Sequence, residues 1–210
     1  MTTLPILWTF RRCPYAMRAR LAIWSSGQQM ELREILLSDK PAPFLAASPK
    51  ATVPVVQTGD TVIEESREVM LWALGRDDPE GWLDMPQEGH ALIDTSDGPF
   101  KTALDHTKYA VRFPDRDEAE ERAKAMLFLN DLNDRLTRNT FLMGSRRSLA
   151  DMAILPFVRQ FANTDRDWLN AQGLGPLTKW LDDFLASDRF RAIMSKYPPW
   201  QNGQDQVLFP

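Results

Sequence analysis

The chain has 210 residues, 43% hydrophobic and 26% charged, the make-up of a globular protein with apolar mass for one large or two modest cores. A net charge of −4 argues against a general nucleic-acid binder, which needs a basic face, and no apolar run approaches the length of a membrane span. One cysteine excludes an intrachain disulfide, and Met1-Thr2-Thr3-Leu4-Pro5 lacks the basic start and long apolar run of a secretory signal, so a reducing, cytoplasmic setting is expected.

The first third of the chain alternates strand and helix signals. Leu4 to Thr9 reads as a β-strand. Phe10-Arg11-Arg12-Cys13-Pro14-Tyr15-Ala16 follows, and then Met17, Leu21 and Trp24 recur at i, i+4 and i+7, one face of a helix. Pro14 suits the first helical position, which puts Cys13 at or beside the N-cap, and Gly27 closes the element. Met30 to Leu37 reads as a second strand and Pro41 to Ala47 as a short helix ended by Ser48-Pro49. Val53 to Gln57 and Thr61 to Ile63 flank Thr58-Gly59-Asp60, a hairpin signal, and Glu65-Ser66 opens a helix through Leu74. A β-α-β unit followed by a hairpin and a helix makes a small open sheet with helices packed on it.

From Gly75 to Gly89 the composition turns polar, with Asp77-Asp78-Pro79-Glu80-Gly81 and Pro86 as punctuation, so this stretch reads as a linker. Helical patterns follow over Leu92 to Val111 (interrupted near Gly98-Pro99), Arg116 to Thr137, Leu149 to Phe161, Pro176 to Ala186 and Arg189 to Met194. In the second, Ala119, Ala123, Met126, Leu129, Asn130 and Leu136 form the expected inner face, with charges opposite. The expected division is an α/β domain over 1–75, a linker over 76–88 and an all-helical domain over 89–210.

Cys13 carries the chemistry. A thiolate at a helix N-terminus meets unpaired N–H groups and the positive end of the helix dipole, with charge added by Arg11 and Arg12. Each favours the ionised, nucleophilic form; the alternative is an inert buried thiol. Pro54, between β-branched residues, belongs at a strand edge or bend, with a cis or a trans bond. Ser148-Leu149-Ala150-Asp151 reads as a capping box, a structural device, and Pro156 should kink the helix it opens. His90 and His106 have no partner at metal-ligand spacing, so no metal is expected.

In this order, Cys13-Pro14-Tyr15-Ala16, Lys40-Pro41, Val53-Pro54 and Glu65-Ser66 resemble the glutathione transferase superfamily, over essentially the whole chain. The cysteine motif is similar to the omega-like and glutaredoxin-like type, and the chain looks bacterial. The resemblance implies a thioredoxin-like N-terminal domain, an all-helical C-terminal domain and a homodimer. It implies that Cys13 is catalytic, that the Val53 backbone before a cis Pro54 pairs with the glutathione cysteine, and that Tyr15 belongs to the glutathione site. Glutathione carries two carboxylates and one ammonium. Ser66 offers a hydroxyl and nearby N–H groups to a carboxylate, or simply caps its helix. Glu65 suits the ammonium, or supports the dipole, and Lys40 suits a carboxylate, or is a surface lysine. Phe100, Leu104, Lys108 and Tyr109, with Trp200 as a lid, are the expected second-substrate pocket or else core and solvated flank.

The implied activity is thiol transfer through a mixed disulfide between Cys13 and glutathione, the cosubstrate, acting on a small-molecule or disulfide substrate. Ala16 leaves no resolving thiol in the motif, which excludes a dithiol cycle. A glutathione-conjugating transferase and a non-catalytic protein-binding module of the same fold are the alternatives.

Overall fold

The computed structural model describes residues 4–210; residues 1–3, where the first expected domain begins, lie outside the described residues. Two compact units divide the chain: one runs through Glu80 and takes up again at Ser187–Pro210, and the other is Gly81–Ala186.

The first unit is built on a five-stranded sheet. Strand β1 (Ile6–Thr9) pairs in parallel with β2 (Met30–Glu34), Leu7 opposite Leu32, and antiparallel with β3 (Val55–Thr58), Leu7 opposite Val56. β4 (Thr61–Ile63) closes a hairpin on β3, and β5 (Leu208–Phe209) lies antiparallel on β2, giving the order β4-β3-β1-β2-β5. β1 is central, so Leu7 and Trp8 are fully buried. Helix α1 (Pro14–Ser26) starts with Pro14 in its first turn and stops at Gly27, whose φ of 64° is the left-handed geometry that glycine adopts without steric penalty. α2 (Ala42–Ala47) follows β2, and α3 (Ser66–Leu74) packs on α1.

The division between the units falls at Gly81, inside the stretch read as a linker, and residues 187–210 group with the first unit. Residues 187–210 belong with the sheet. α10 (Asp188–Ile193) packs on α1, the Trp200 N–H donates to the Glu34 carbonyl at 2.7 Å, and β5 extends the sheet. A two-residue strand carries no periodicity, so nothing in the sequence announces it. Trp200 accordingly packs edge-on against Trp8, with ring centroids 5.2 Å apart, rather than on a helical face.

In the second unit, α4 (Gln87–Thr95) continues through a π-helical stretch, Ser96–Phe100, into α5 (Lys101–Lys108). Pro99, which lacks an N–H, sits inside the widened stretch, the interruption expected near Gly98-Pro99. α6 (Glu118–Arg138) buries Ala125, Phe128, Leu129, Leu132 and Leu136. This corrects the expected face: Leu129 and Leu136 are inside, whereas Ala119, Ala123 and Asn130 are exposed. Phe128 stacks on Phe100 at 4.8 Å, and that contact sets the helix rotation. α7 (Leu149–Ala162) is buried nearly all round and runs through Pro156; α8 (Arg166–Asn170), unforeseen, and α9 (Gly175–Ala186) complete the unit.

The start of α7 is fully bonded. Asp151, wholly buried, accepts from the Ser148 N–H at 2.9 Å, the Ser148 hydroxyl at 2.8 Å, the Leu142 N–H at 2.9 Å and the Trp180 indole at 3.1 Å. Burial pushes its carboxyl up from the ordinary range, and these donors oppose the push.

Candidate functional site

Cys13 occupies the N-cap of α1 with extended backbone, and no side chain caps that helix. Its N–H closes a turn onto the Phe10 carbonyl at 3.0 Å, and its carbonyl accepts the first helical bond from Met17 at 2.9 Å. The thiol is half-buried, 3.8 Å from the Val53 carbonyl oxygen, against an apolar cluster of Trp8, Ala16, Ile35, Phe44, Val53 and Val55. The Val53–Pro54 bond is cis. Ala51, packed against the same cluster, has φ 53°, a left-handed conformation that costs a non-glycine residue about 1 kcal/mol. Backbone strain of this kind gathers at sites that need an exact loop shape.

The charges are arranged differently from expectation. Arg12 is exposed, its guanidinium 5.5 Å from the Phe10 ring, and Arg11 takes part through its backbone, its N–H donating to Glu34 Oε1 at 2.7 Å. The buried cation that acts electrostatically on Cys13 is Arg20, which sequence reasoning missed. Arg18 was missed too. It is 3% exposed, its guanidinium lies 5.2 Å from the Tyr15 ring, and its Nε donates to Ser66 Oγ at 3.0 Å. Both arginines interrupt the apolar run Ala16-Met17-Arg18-Ala19-Arg20-Leu21-Ala22-Ile23, and a charge inside a stretch that must be buried was the available signal.

Ser66 is buried and opens α3 as its first residue, so Glu65, not Ser66, stands at the N-cap. With its oxygen accepting from Arg18, the Ser66 hydroxyl keeps its own proton to donate. A donor hydroxyl, the first N–H groups of α3 and an adjacent guanidinium suit an anionic group. Glu65 is exposed and pairs with Lys50 Nζ at 2.8 Å, a partner the sequence did not suggest. The hydrogen bond and charge of Glu65 raise the Lys50 amine above its ordinary value. Lys40 sits half-buried in the segment between β2 and α2.

Four of the predicted residues lie in the helical unit, where the structure separates them. Phe100 and Leu104 are core: Phe100 packs between Phe128 and Phe161, and neither side chain exposes surface to a ligand. Of the two readings the sequence left open for them, pocket or core, their burial fits the core. Lys108 is exposed with its ammonium 4.9 Å from the Tyr109 ring, and Tyr109 is half-buried. A surface cleft of this unit, lined by Arg122, Met126, Asn130, Trp168 and Gln172 among others, holds none of the predicted residues. Among the described residues no group of three His, Cys, Asp or Glu side chains is placed to hold a metal; His106 Nδ1 instead lies 2.9 Å from Glu121 Oε2.

Comparison with known proteins shows the family. Residues 7–81 match the family model "Glutathione S-transferase, N-terminal domain" and residues 116–202 match "Glutathione S-transferase, C-terminal domain". A curated relative, glutathione S-transferase F9 of Arabidopsis thaliana, is 27% identical over 176 residues, covering 73% of this chain and 78% of its own. Among solved structures, a poplar glutathione transferase F1 mutant, with a serine replaced by cysteine, superposes with a TM-score of 0.76 at 18% identity, over 92% of this chain and 97% of its own. Glutathione transferase Omega 3C of Trametes versicolor gives 0.75 at 17%, over 95% and 92%. A Pseudomonas fluorescens family member with two glutathiones bound gives 0.75 at 15%, over 91% and 92%. At such identities the structural matches speak for the fold, while the two sequence models span most of the chain, and the protein belongs to the glutathione S-transferase superfamily.

Proposed function

We propose that the protein is a glutathione-dependent thiol transferase of omega-like type, with Cys13 as the nucleophile. The observation that carries this reading is the position of Cys13: a thiol at the N-cap of α1, beside the first N–H groups of that helix, 3.8 Å from the Val53 carbonyl. Those N–H groups and the helix dipole favour a thiolate over a thiol. The Val53 backbone supports the peptide part of glutathione, Ser66 with Arg18 one of its carboxylates, Glu65 its ammonium, and Lys40 and Tyr15 the remaining edge. Lys50 already sits on Glu65, so an arriving ammonium shares or displaces an exposed pair, which is weak in water.

The cycle balances without any further oxidant. The Cys13 thiolate attacks the glutathione sulfur of a mixed disulfide with substrate; the old S–S bond breaks and the substrate thiolate leaves, taking a proton from solvent. Cys13 now holds glutathione. A second glutathione, as thiolate, attacks that glutathione sulfur, releasing oxidised glutathione and the Cys13 thiolate. Ala16 provides no resolving thiol, so the second glutathione is required.

Cys13→Ser tests this. Serine keeps the size but has no accessible anion, so thiol transfer should fall to background while binding to immobilised glutathione persists, and conjugation of an aryl halide should appear or rise. Thiol transfer equal to the parent's would remove Cys13 as nucleophile. Loss of glutathione retention in both proteins would favour a non-catalytic module.

A further inference from the structure

Arg20 is an unusual residue to find where it is. It lies in the second turn of α1 and is 1% exposed, and all three nitrogens of its guanidinium are engaged. Nε donates to the Ile193 carbonyl at 3.0 Å, Nη2 donates to the Arg11 carbonyl at 2.7 Å, and Nη1 donates to Thr9 Oγ1. Being seven residues after Cys13, it shares the same helix face, and long helical side chains lean toward the N-terminus, which brings its head back to the thiol end. Arg11 is thereby gripped twice. Its carbonyl is held by Arg20 and its N–H by the Glu34 carboxylate, so the residue two before the thiol has little freedom.

The charged and titratable groups facing Arg20 are Glu34, Cys13, Tyr197 and Arg11. Burial lowers the Arg20 pKa to about 10, leaving the group charged at neutral pH. Burial likewise raises the Glu34 carboxyl above its ordinary range, opposed by the Arg11 N–H and the Arg20 charge. A buried charge is seldom more stabilising than an apolar side chain of the same volume. Its electrostatic effect on a neighbour is what an apolar side chain could not reproduce.

We propose that Arg20 is the positioning residue of Cys13, holding the turn that carries the thiol and setting a buried positive charge beside it, with Glu34 as the counter-charge that limits its pull. This deepens the thiol-transferase reading and rests on it, since it assumes that the Cys13 thiolate is the working form.

Cys13 is the chain's one cysteine, so the pH profile of alkylation by iodoacetamide reads its ionisation without interference and without glutathione. Arg20→Gln should move the midpoint up by about one pH unit, the scale expected for loss of one nearby opposite charge. Glu34→Gln, nearly isosteric and still able to accept from Arg11, should move it down. Arg20→Lys should stay within a few tenths of a unit of the parent, since it keeps the charge. A role limited to packing shifts no midpoint in opposite directions. Equal midpoints, or shifts of one sign in Arg20→Gln and Glu34→Gln, overturn the proposal. If Arg20→Gln does not fold, Glu34→Gln decides alone: a downward shift supports the proposal and an unmoved midpoint ends it. Failure here is separate from failure of the thiol-transferase reading, which the Cys13→Ser transfer assay decides.

Discussion

Helices α1 and α7 begin in opposite ways. At Ser148 the start of α7 has a complete capping box, with one buried carboxylate, Asp151, taking four donors from three parts of the helical unit. At Cys13 the start of α1 has no side-chain cap, and the loop before it is held by Arg20 and Glu34 instead. Both are helix N-termini with the same dipole, although Pro14 brings no N–H to the first position of α1. The first directs its N–H groups to an internal partner and so contributes stability. The second has no side-chain cap bond, and its shape is maintained by packing from outside the helix.

The contrast makes a graded set of expectations. The largest effect belongs to Asp151→Ala, which strands four donors in the core, including two side chains. A loss of about 3 kcal/mol or more is expected by urea unfolding, with the Cys13 alkylation profile unchanged in the folded protein. A loss below 1 kcal/mol would mean that the box is ornamental. Gly27→Ala sharpens the other side. It places a Cβ at φ 64° with open space around it, so the penalty is backbone strain alone, about 1 kcal/mol, and it tests whether α1 is anchored at its C-terminal end rather than at its cap. Smallest is Cys13→Ala. With no cap bond to lose, it should shift stability by no more than about 0.5 kcal/mol while abolishing alkylation. A drop of 2 kcal/mol there would show Cys13 to be a structural residue and erase the distinction.

The same contrast separates what could be read residue by residue from what could not. Both helix starts were visible in the sequence, because Pro14 and the Ser148–Asp151 spacing act within one turn of chain. So were β1 through β4 and α3, where hydrophobic period and turn residues agree. The arginines could not be read in the same way. The apolar run around Arg18 and Arg20 marks them as out of place, but the partners that justify burying them, Ser66 in one case and Thr9, Arg11 and Ile193 in the other, are brought together only by the fold. The turn from α6's expected face to its real one follows from Phe128 meeting Phe100, and the return of residues 187–210 to the sheet follows from backbone bonds to Glu34 and β2. Local signals of period, cap and turn are encoded in adjacent residues and so survive in the sequence. The pairing of a buried charge, the rotation of a helix and the ownership of a tail depend on contacts between residues far apart in the chain, and these exist only once it has folded.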